Sequence, residues 1–465
     1  MSAEPSRLSP RHLVSLTAIV AVGAFLLLAP GASDMVRAAS VIVLAIALWA
    51  TGWLPQWLTA LAFFTLCTVA GVAPPDTVFA GFASAATWLV FSGLAIGAAI
   101  QHTGLGATVA ARVGPHLQGS YAGAVSGVVA LGLAMAFVMP SGMGRVVLLV
   151  PILITLADHL GYQEGRPGRT GVILGGILGT FLPTYAILPA NVPNNVLMGA
   201  VEAVLGEPPT YSSYLLLHFP VLGALKTVLL VIVMLRLYPD RAPAPSAAAP
   251  DRATNGRTPL SRPERRLGLL LLLAVALWLS DAWHGISPAW IGLAIALVCL
   301  FPGSGLMADR PLKSLNVEPL IYVAGIVSLG ALAHHSGLGE RVAHSLLAVL
   351  PLSDTGDAAT FGLLSGLAMT LGTFVTLPGV PAILTPMATE LAAITGWSPD
   401  AVAMTQVVGF STVLLPYQGP PLVVGLLAAG LRLRDAARVC LIMAAISLVL
   451  LWPLDYLWWQ LLGWI

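Results

Sequence analysis

The chain has 465 residues, of which 57% are hydrophobic and only 9% charged, and its formal net charge is +1. Because a soluble domain carries about 25% charged residues, water is excluded as the main solvent of this protein. The near-zero charge, with no basic patch, also excludes a nucleic-acid partner. Apolar stretches of spanning length recur along the chain and predict an all-α polytopic membrane protein with about eleven transmembrane helices.

Residues 1–35 are predicted to hold the first transmembrane helix. Arg7 and Arg11 precede an apolar run from Leu13 to Leu28, and a Gly-Ala-Ser sequence follows it, as in a signal peptide. The run is long for a signal core, and another apolar run follows almost at once. We therefore expect an uncleaved helix with a cytoplasmic N-terminus.

Residues 36–237 form the first predicted repeat, which contains an interrupted apolar stretch at 121–160. The interruption is Pro-Ser-Gly-Met-Gly from Pro140 to Gly144. The two pieces are short for membrane crossings, which favours a re-entrant hairpin, because irregular backbone at membrane depth must be buried in protein or line a cavity. Its tip would present free N–H groups to an anion. Two ordinary helices joined by a surface turn are the alternative.

Arg145 lies one turn into the second arm of this hairpin. A charge near the membrane centre is costly, so we expect Arg145 to face a cavity or a partner. Its planar guanidinium suits a carboxylate or sulfonate. Ser141, Gly142 and Arg145 are therefore predicted to bind substrate, and an arginine extended to the membrane interface is the alternative.

A second interruption of the first repeat has the sequence PTYAILPANVPNN, beginning at Pro183. Unwound helix in such a segment frees carbonyls for cations, and its amides can bind ions or substrate. Asn194 is predicted to contact substrate, and Asn191 and Asn194 are predicted cation ligands. The alternative is that these amides satisfy one another in a structural kink.

Residues 238–266 change to a composition rich in Pro, Ala and Arg, which predicts a hydrophilic linker. Its positive charge places it in the cytoplasm by the positive-inside rule, so the predicted crossings leave the C-terminus outside. Arginines occur in it and beside it at 236, 241, 252, 257, 262, 265 and 266.

Residues 267–465 form the second predicted repeat. The sequence FSGLAIGAAIQHTGLG from Phe91 matches AGIVSLGALAHHSGLG from Ala324, so Gly104 corresponds to Gly337, which is 337 − 104 = 233 residues later. An odd number of crossings per repeat inverts one half relative to the other. Inverted repeats with interrupted helices are typical of secondary transporters.

The second repeat has its own pair of interruptions, without a charge. One lies around Thr373, Thr376 and Gly379, and the other is LLPYQGPPLVVG, which contains Gln418. Thr376, Gly379 and Gln418 are predicted substrate contacts. The predicted cation ligands are Ser141, Thr373 and Thr376, beside the asparagines of the first repeat. A proline-kinked helix is the alternative for the first of these interruptions.

The remaining reactive residue types indicate no chemistry. His102, His334 and His335 lie at the ends of apolar runs, which favours a structural role over proton coupling. No Asp or Glu is clearly mid-membrane, so an acidic proton relay is poorly supported. Cys67, Cys299 and Cys440 lie in apolar runs without metal-ligand spacing, so no metal site or disulfide is predicted.

The chain resembles the divalent-anion sodium symporter family over roughly residues 36–450. The resemblance rests on residues 49–106, WATGWLPQ through HTGLG, and on residues 277–303, LWLSDAWHGISPAWIGLAIALVCLFPG. It implies a homodimer with an elevator movement, and a Ser-Asn-Thr triplet at each hairpin tip for sodium and substrate. Here the triplets are Ser141-Gly142-Met143 and Thr376-Leu377-Pro378. Asn194 matches the asparagine of the first break, and Leu422 stands at the second.

These departures remove expected sodium ligands, so we expect Arg145 to supply part of the countercharge as a fixed cation. The predicted function is a secondary active transporter, symporter or exchanger, of small anions across a bacterial-type inner membrane, with Na⁺ or H⁺ as coupling ion and no other cofactor. Di- and tricarboxylates, sulfate and sulfonates fit equally. A passive anion uniporter or channel is the nearest alternative. HExxH, GxSxG and paired intramembrane carboxylates are missing from the sequence, which argues against a membrane-embedded enzyme.

Overall fold

The computed structural model describes residues 9–29, 31–113, 120–241, 259–308, 310–347 and 355–465. Throughout those ranges the regular elements are helices. Seven of the described helices are long and apolar enough to cross a membrane, and four shorter apolar helices accompany them. The prediction of an all-α polytopic membrane protein is confirmed.

In the part of the first half that the structure describes, nine helices are numbered here. They are α1 Pro10–Leu28, α2 Asp34–Thr51, α3 Gln56–Ala70, α4 Ala85–Thr103, α5 Tyr121–Val138, α6 Gly142–His159, α7 Pro167–Gly179, α8 Val192–Leu205 and α9 Tyr211–Leu237, whose Phe219–Leu225 stretch is π-helical. Short helices lie at Pro75–Val78, Ala80–Ala83 and Leu105–Val113, and 3₁₀ turns at Pro183–Ala186 and Leu188–Ala190.

Within the described ranges, the second half contains eight numbered helices. They are α10 Arg262–Leu279, α11 Pro288–Leu300, α12 Glu318–His335, α13 Asp357–Phe374, α14 Gly379–Thr395, α15 Pro399–Phe410, α16 Pro420–Ala428 and α17 Leu433–Leu462, whose Ser447–Leu451 stretch is π-helical. Short helices lie at Asp281–His284, Pro311–Ser314 and Leu338–Leu347, and 3₁₀ turns at Thr385–Met387, within α14, and Pro416–Gln418.

Two pairs of helices form hairpins, and two other pairs form broken helices. The first hairpin is α5 and α6, and the second is α13 and α14. The first broken helix is α7 and α8, and the second is α15 and α16. With each broken helix counted once and the hairpins set aside, the described residues form six long segments in the first half and five in the second, eleven together.

The hairpin arms are longer than the sequence pattern suggested. Helices α5 and α6 have 18 residues each, or about 27 Å at 1.5 Å per residue. Both are long enough to cross a membrane. Length alone therefore does not distinguish a re-entrant hairpin from two crossings, and the position of the tips carries that argument.

The predicted linker ends earlier than expected. Helix α10 begins at Arg262 instead of residue 267, because Ser261 accepts a hydrogen bond from the Glu264 N–H and the Glu264 carboxylate accepts one from Ser261 N–H. This reciprocal capping, with Pro263 in the first turn, starts the helix within the charged segment. Residues 242–258 of the predicted linker lie outside the described residues.

The sequence match between the halves has a matching backbone. Gly104 ends α4 with φ of 78°, and Gly337 follows α12 with φ of 71°. This left-handed conformation favours glycine. A further helix begins immediately after each glycine, at Leu105 and at Leu338. His102, His334 and His335 are exposed at these two helix ends.

The hairpins and broken helices pack in a crossed pattern. In chain order, each broken helix has an incoming half, α7 or α15, and an outgoing half, α8 or α16. The incoming half lies along the hairpin of its own predicted repeat, α7 on α5 and α15 on α13. The outgoing half lies along the hairpin of the other repeat, α8 on α14 and α16 on α6. Since each broken helix passes from one hairpin to the other, the two hairpins lie on opposite sides of the breaks.

The buried apolar residues divide into two main cores. The larger contains residues of both hairpins and both broken helices together with α4, α9, α10, α11 and α17. The other is centred on α2, α3 and α12, with single residues from other helices.

A surface ion pair connects the end of α9 with the start of α7. Arg166 donates to Asp240 Oδ1 at 2.6 Å, and Gly168 N–H donates to Asp240 Oδ2 at 2.9 Å. The Arg166 hydrogen bond holds the pKa of the Asp240 carboxyl below its ordinary value. The stabilisation by Asp240 is therefore present above the carboxyl pKa of the unfolded chain, about 3.9.

The change Asp240→Asn is expected to lower the melting temperature of the purified protein slightly. Because the native pKa is depressed, this difference should stay constant from neutral pH down to about the unfolded carboxyl pKa and shrink only below it. Thermal unfolding followed by fluorescence over a pH series measures it. A difference that disappears between pH 7 and pH 5 would contradict the assignment.

Candidate functional site

Both hairpin tips and both helix breaks meet at one cavity of about 520 Å³. The first tip contributes Met139 to Gly144 and the second contributes Thr376 to Pro378. The first break contributes Asn191, Val192, Pro193 and Asn195, and the second contributes Gln418 to Pro421. Since sequence pattern alone singled out these four interruptions, their convergence marks the cavity as the candidate site.

The tip of the first hairpin touches both breaks. A Cβ placed on Gly142 would lie 3.3 Å from Asn191 Oδ1 of the first break and 3.7 Å from Pro421 Cγ of the second. Ser141 begins α6, and its Oγ accepts from Gly144 N–H at 3.1 Å. Ser141 and Gly142 therefore lie on the cavity wall, where the sequence predicted them to meet substrate.

Three helices begin at residues that line this cavity, Gly142, Val192 and Pro420, and a fourth begins at Gly379, directly after the lining residue Pro378. The last three of these helices have no side-chain cap on their first N–H groups. Each helix N-terminus carries a partial positive charge of about half a unit. Among the described residues that line the cavity, only Glu318, the first residue of α12, belongs to the acidic or basic residue types. The helix ends therefore favour an anion.

Arg145 does not line the cavity. Its side chain is 0% exposed and lies directly behind the first hairpin tip. Nη1 donates to Met139 O at 2.7 Å and to Ala190 O at 2.9 Å. Nη2 donates to Thr180 O at 3.0 Å, to Asn191 Oδ1 at 3.2 Å and to Thr184 Oγ1 at 3.4 Å.

The guanidinium therefore ties the first tip to the first broken helix through five protein oxygens. In this conformation its Nη donors are used within the protein, and the predicted contact of Arg145 with substrate stays a prediction. Extension to the membrane interface is not observed. Its charge lies beside Asn191, which is itself part of the cavity wall.

The three asparagines of the first break have different surroundings. Asn191 lines the cavity, and its Nδ2 donates to Thr184 Oγ1 at 2.9 Å. Asn194 lies behind the wall, and its Nδ2 donates to Tyr185 O at 3.0 Å and Ile187 O at 2.8 Å. Asn195, outside the predicted site, lines the cavity, and its buried Oδ1 has no hydrogen-bond partner among the described residues.

In the second repeat, Thr376 and Gln418 line the cavity, whereas Thr373 and Gly379 do not. Thr376 Oγ1 lies 3.2 Å from the hydroxyl of Tyr322, another lining residue. The Gln418 amide accepts from Leu414 and Leu415 N–H at 2.8 Å and donates to Gly372 O at 2.8 Å, which holds the break against the hairpin. Thr373 Oγ1 donates to Thr370 O in its own helix.

The predicted cation ligands of the first repeat have different hydrogen-bond partners. Asn191 Oδ1 accepts from Arg145 and Ser141 Oγ accepts from Gly144 N–H, whereas Asn194 Oδ1 has no partner among the described residues. In the second repeat the Thr373 and Thr376 hydroxyls do not converge, because only Thr376 reaches the cavity. Within the described ranges, no three His, Cys, Asp or Glu side chains form a metal-ligand group.

Sequence reasoning missed several polar residues of the site and its surroundings. Tyr322 and Gln101 line the cavity from α12 and α4. Outside the cavity, sequence reasoning also did not single out Asp455, which is fully buried within α17 near the buried Lys226 of α9. The sequence shows Lys226 and Asp455 each as a single charged residue type inside an apolar run, and this signal could have identified them.

Comparison with known proteins supports a transport function. The model of the sodium:sulfate symporter transmembrane region matches residues 10–465. A dicarboxylate transporter, number 2.2, of Arabidopsis thaliana chloroplasts is 26% identical over 89% of this chain and 77% of its own length. An uncharacterized transporter of Haemophilus influenzae is 24% identical over 83% of this chain and 82% of its own.

Two solved structures share the fold at low sequence identity. The YdaH transporter of Alcanivorax borkumensis superposes with a TM-score of 0.57 and 17% identity, over 93% of this chain and 99% of that one. MtrF of Neisseria gonorrhoeae, described among antimetabolite efflux pumps, superposes with a TM-score of 0.55 and 16% identity, over 92% of this chain and 95% of that one. Both are transporters, so neither the family match nor these structures point to an enzyme.

Proposed function

Since the chain belongs to the sodium:sulfate symporter family, we propose that it is a secondary active transporter of small dianions, with dicarboxylates foremost and with sulfate, sulfonates and tricarboxylates as further candidates. The observation that carries the proposal is the single cavity at which two hairpin tips and two helix breaks meet. Binding sites of secondary transporters lie between such interrupted helices, near the middle of the membrane. The dicarboxylate transporter relative supports the first substrate class.

The crossed packing supports inverted repeats at 36–237 and 267–465 with re-entrant hairpins. The hairpins lie on opposite sides of the breaks, and their tips reach the same cavity. A hairpin that enters from one membrane face and ends at a central cavity does not cross. Irregular backbone at both tips then lines a cavity, as the membrane requires.

We propose an elevator movement, and the division of the buried apolar residues into two main cores supports it. The core with the hairpins and broken helices is the moving body, and the core of α2, α3 and α12 is the fixed body. The resemblance to homodimeric carriers leads us to propose that the fixed body joins two copies of the chain. The N-terminus and linker face the cytoplasm of a bacterial-type inner membrane, in keeping with the arginines beside the linker.

Arg145 acts in this proposal as a tethered cation. Its guanidinium occupies the oxygens of the first tip and first break, where unwound backbone would otherwise coordinate a cation. It contributes positive potential to the cavity and fixes the tip against the break. Arg145 is thus a positioning residue in this conformation.

Uptake into proteoliposomes tests the proposed function. Labelled succinate, citrate, sulfate and a sulfonate are offered with a sodium gradient, a proton gradient or neither, and empty liposomes provide the background. Accumulation of at least one dianion above its equilibrium level supports the proposal. Dissipative uptake that neither gradient changes and that shows no exchange would establish a passive uniporter, and uptake of none of the four would overturn the anion assignment.

Asn195 provides a side-chain test of the cavity. The change Asn195→Asp adds a carboxylate to the wall, and repulsion of a dianion should weaken its apparent affinity by about a hundredfold, since close like charges cost several kcal/mol at low dielectric. Competition by unlabelled dianion against labelled dianion measures the affinity. The matched control Glu318→Gln removes the one carboxylate of the described lining and should not weaken affinity. Equal losses in both variants would contradict the assignment.

A further inference from the structure

Three ionisable side chains outside the cavity are fully buried where α9 packs against α17. They are His218 and Lys226 of α9 and Asp455 of α17, which we call the buried ionisable cluster. Ionisable residues within membrane segments are costly and therefore indicate a function unless a partner satisfies them. Nothing in the cavity or at the hairpin tips requires these three residues.

The cluster is poorly satisfied by hydrogen bonds. Both carboxyl oxygens of Asp455 and both ring nitrogens of His218 have no partner among the described residues. The hydroxyl of Tyr211 and the indole N–H of Trp459 are likewise unpaired within the described part of the chain. A buried carboxylate without donors is strongly disfavoured, and a bound proton removes its charge. The arrangement suits a group that gains and loses a proton.

Lys226 lies near Asp455 but forms no hydrogen bond with it. The two side chains interact electrostatically, but Lys226 Nζ instead donates to Ser411 O at 2.7 Å. Ser411 follows α15, at the start of the second helix break. Lys226 therefore joins the cluster to that break, and its ammonium is available to balance Asp455 when the proton leaves.

Further hydrogen bonds connect the same helices to both breaks. Trp452 Nε1 donates to Thr412 Oγ1 of the second break at 3.1 Å. Tyr214, whose ring centroid lies 4.6 Å from that of His218, donates from its hydroxyl to Tyr185 O of the first break at 2.8 Å. A change of charge in the cluster thus acts on groups that hold both breaks in place.

The backbone beside the cluster is irregular in both helices. The π-helical stretch Phe219–Leu225 separates His218 from Lys226, and the stretch Ser447–Leu451 precedes Asp455 by one turn. Single π-helical turns occur frequently at functional sites. They can rearrange locally, which gives the cluster a means of changing its exposure between conformations.

Other titratable groups lie on α9, on α17 and on the elements packed against them. Cys440 interacts electrostatically with Lys226, and Asp357 at the start of α13 accepts from Trp397 Nε1 at 2.9 Å. The remaining tyrosines are Tyr121, Tyr185, Tyr211, Tyr214 and Tyr456, and the charged residues near the other ends of the packed helices are Arg169, Arg236, Arg434, Asp435 and Arg438.

We propose that Asp455, with Lys226 and His218, is a proton-binding site coupled to the two helix breaks, so that protons drive anion transport. The proposal rests on the proposed function and names its coupling ion. One proton bound by the Asp455 carboxylate on one side of the membrane is released on the other, which offsets one negative charge of the transported dianion. Movement of less net charge lowers the work against the membrane potential.

The first test needs no transported anion. Infrared difference spectra of the purified full chain, titrated from about pH 9 to pH 4, report the carbonyl band of a protonated carboxyl group. Wild type should show a titrating band that is missing in Asp455→Asn and retained in the control Asp435→Asn, which alters an exposed ion pair of the same helix. A spectrum unchanged by Asp455→Asn would overturn the proposal.

The second test separates coupling from binding. With labelled succinate as probe, a gradient of one pH unit supports about tenfold accumulation for each coupled proton. Asp455→Asn should abolish this accumulation yet keep exchange of labelled for unlabelled succinate, and Asp455→Glu should restore part of the accumulation. Equal loss of accumulation and exchange in a folded Asp455→Asn would show a structural role and overturn the proposal. Absence of succinate transport in wild type would count against the proposed function, and the infrared result would still decide the proton site.

Discussion

Replacing Arg145 with glutamine should reduce anion uptake by at least about a hundredfold. Five oxygens accept hydrogen bonds from the guanidinium. Met139 O, Thr180 O and Thr184 Oγ1 each accept another hydrogen bond as well, so the change deprives Ala190 O and Asn191 Oδ1 of their donor among the described residues. Each buried acceptor left unpaired costs about 1–3 kcal/mol, and 1.4 kcal/mol corresponds to a factor of ten. The first hairpin tip then loses its connection to the first break, and the cavity loses a nearby positive charge.

Guanidinium rescue distinguishes this role from general destabilisation. The smaller Arg145→Ala leaves space behind the tip, and millimolar guanidinium ion should restore part of its uptake, because the free ion can occupy the same oxygens. Arg166→Gln serves as a control, since Arg166 belongs to a surface ion pair. Uptake kinetics with and without guanidinium give the result. If Arg145→Gln bound the anion with wild-type affinity, Arg145 would have no role in anion binding.

A single methyl group on Gly409 should disrupt the second half of the transporter. A Cβ at this position would lie 2.4 Å from Ser365 O, 2.5 Å from Ala368 Cβ and 2.8 Å from Met369 N. Two of these atoms belong to the backbone of α13, so α15 and the second hairpin must separate. Overpacking of this kind costs about 1–3 kcal/mol and displaces the tip that carries Thr376. Gly409→Ala is therefore expected to lower both the melting temperature and uptake.

Gly366 supplies a matched control on the neighbouring arm. A Cβ there meets no heavy atom of the described residues within 4 Å. Alanine is favoured over glycine within a helix by about 0.5–1 kcal/mol, so Gly366→Ala should slightly raise the melting temperature and leave uptake unchanged. Thermal unfolding and proteoliposome uptake on both variants provide the comparison. If the two variants changed the melting temperature and uptake equally, close packing at Gly409 would not be the cause of the effect.

The first half has the same kind of close contact. A Cβ on Gly179 would lie 2.8 Å from Val129 Cα, and one on Gly132 would lie 2.8 Å from Thr180 N. In each repeat, therefore, the incoming half of the broken helix approaches its hairpin nearly backbone to backbone. Only glycine permits this approach, which positions the tip at the break.

The sequence by itself determined the membrane class, the two halves and the four helix interruptions. Apolar run length reflects the thickness of the membrane, and proline and glycine interrupt helices through local backbone chemistry. These properties depend on neighbours in the chain. The predicted interruptions at Pro140 and Pro183, and those before Gly379 and Pro420, therefore correspond to helix ends in the structure.

Only the tertiary structure decided where individual polar side chains point. Arg145 binds the break behind the tip, and Asn195 reaches the cavity while Asn194 does not. Neighbouring residues on one helix point in different directions. Which of these directions leads to the cavity depends on how helices distant in the sequence pack together. Lys226 and Asp455 become neighbours for the same reason, since the sequence shows each charge but not that α9 packs against α17.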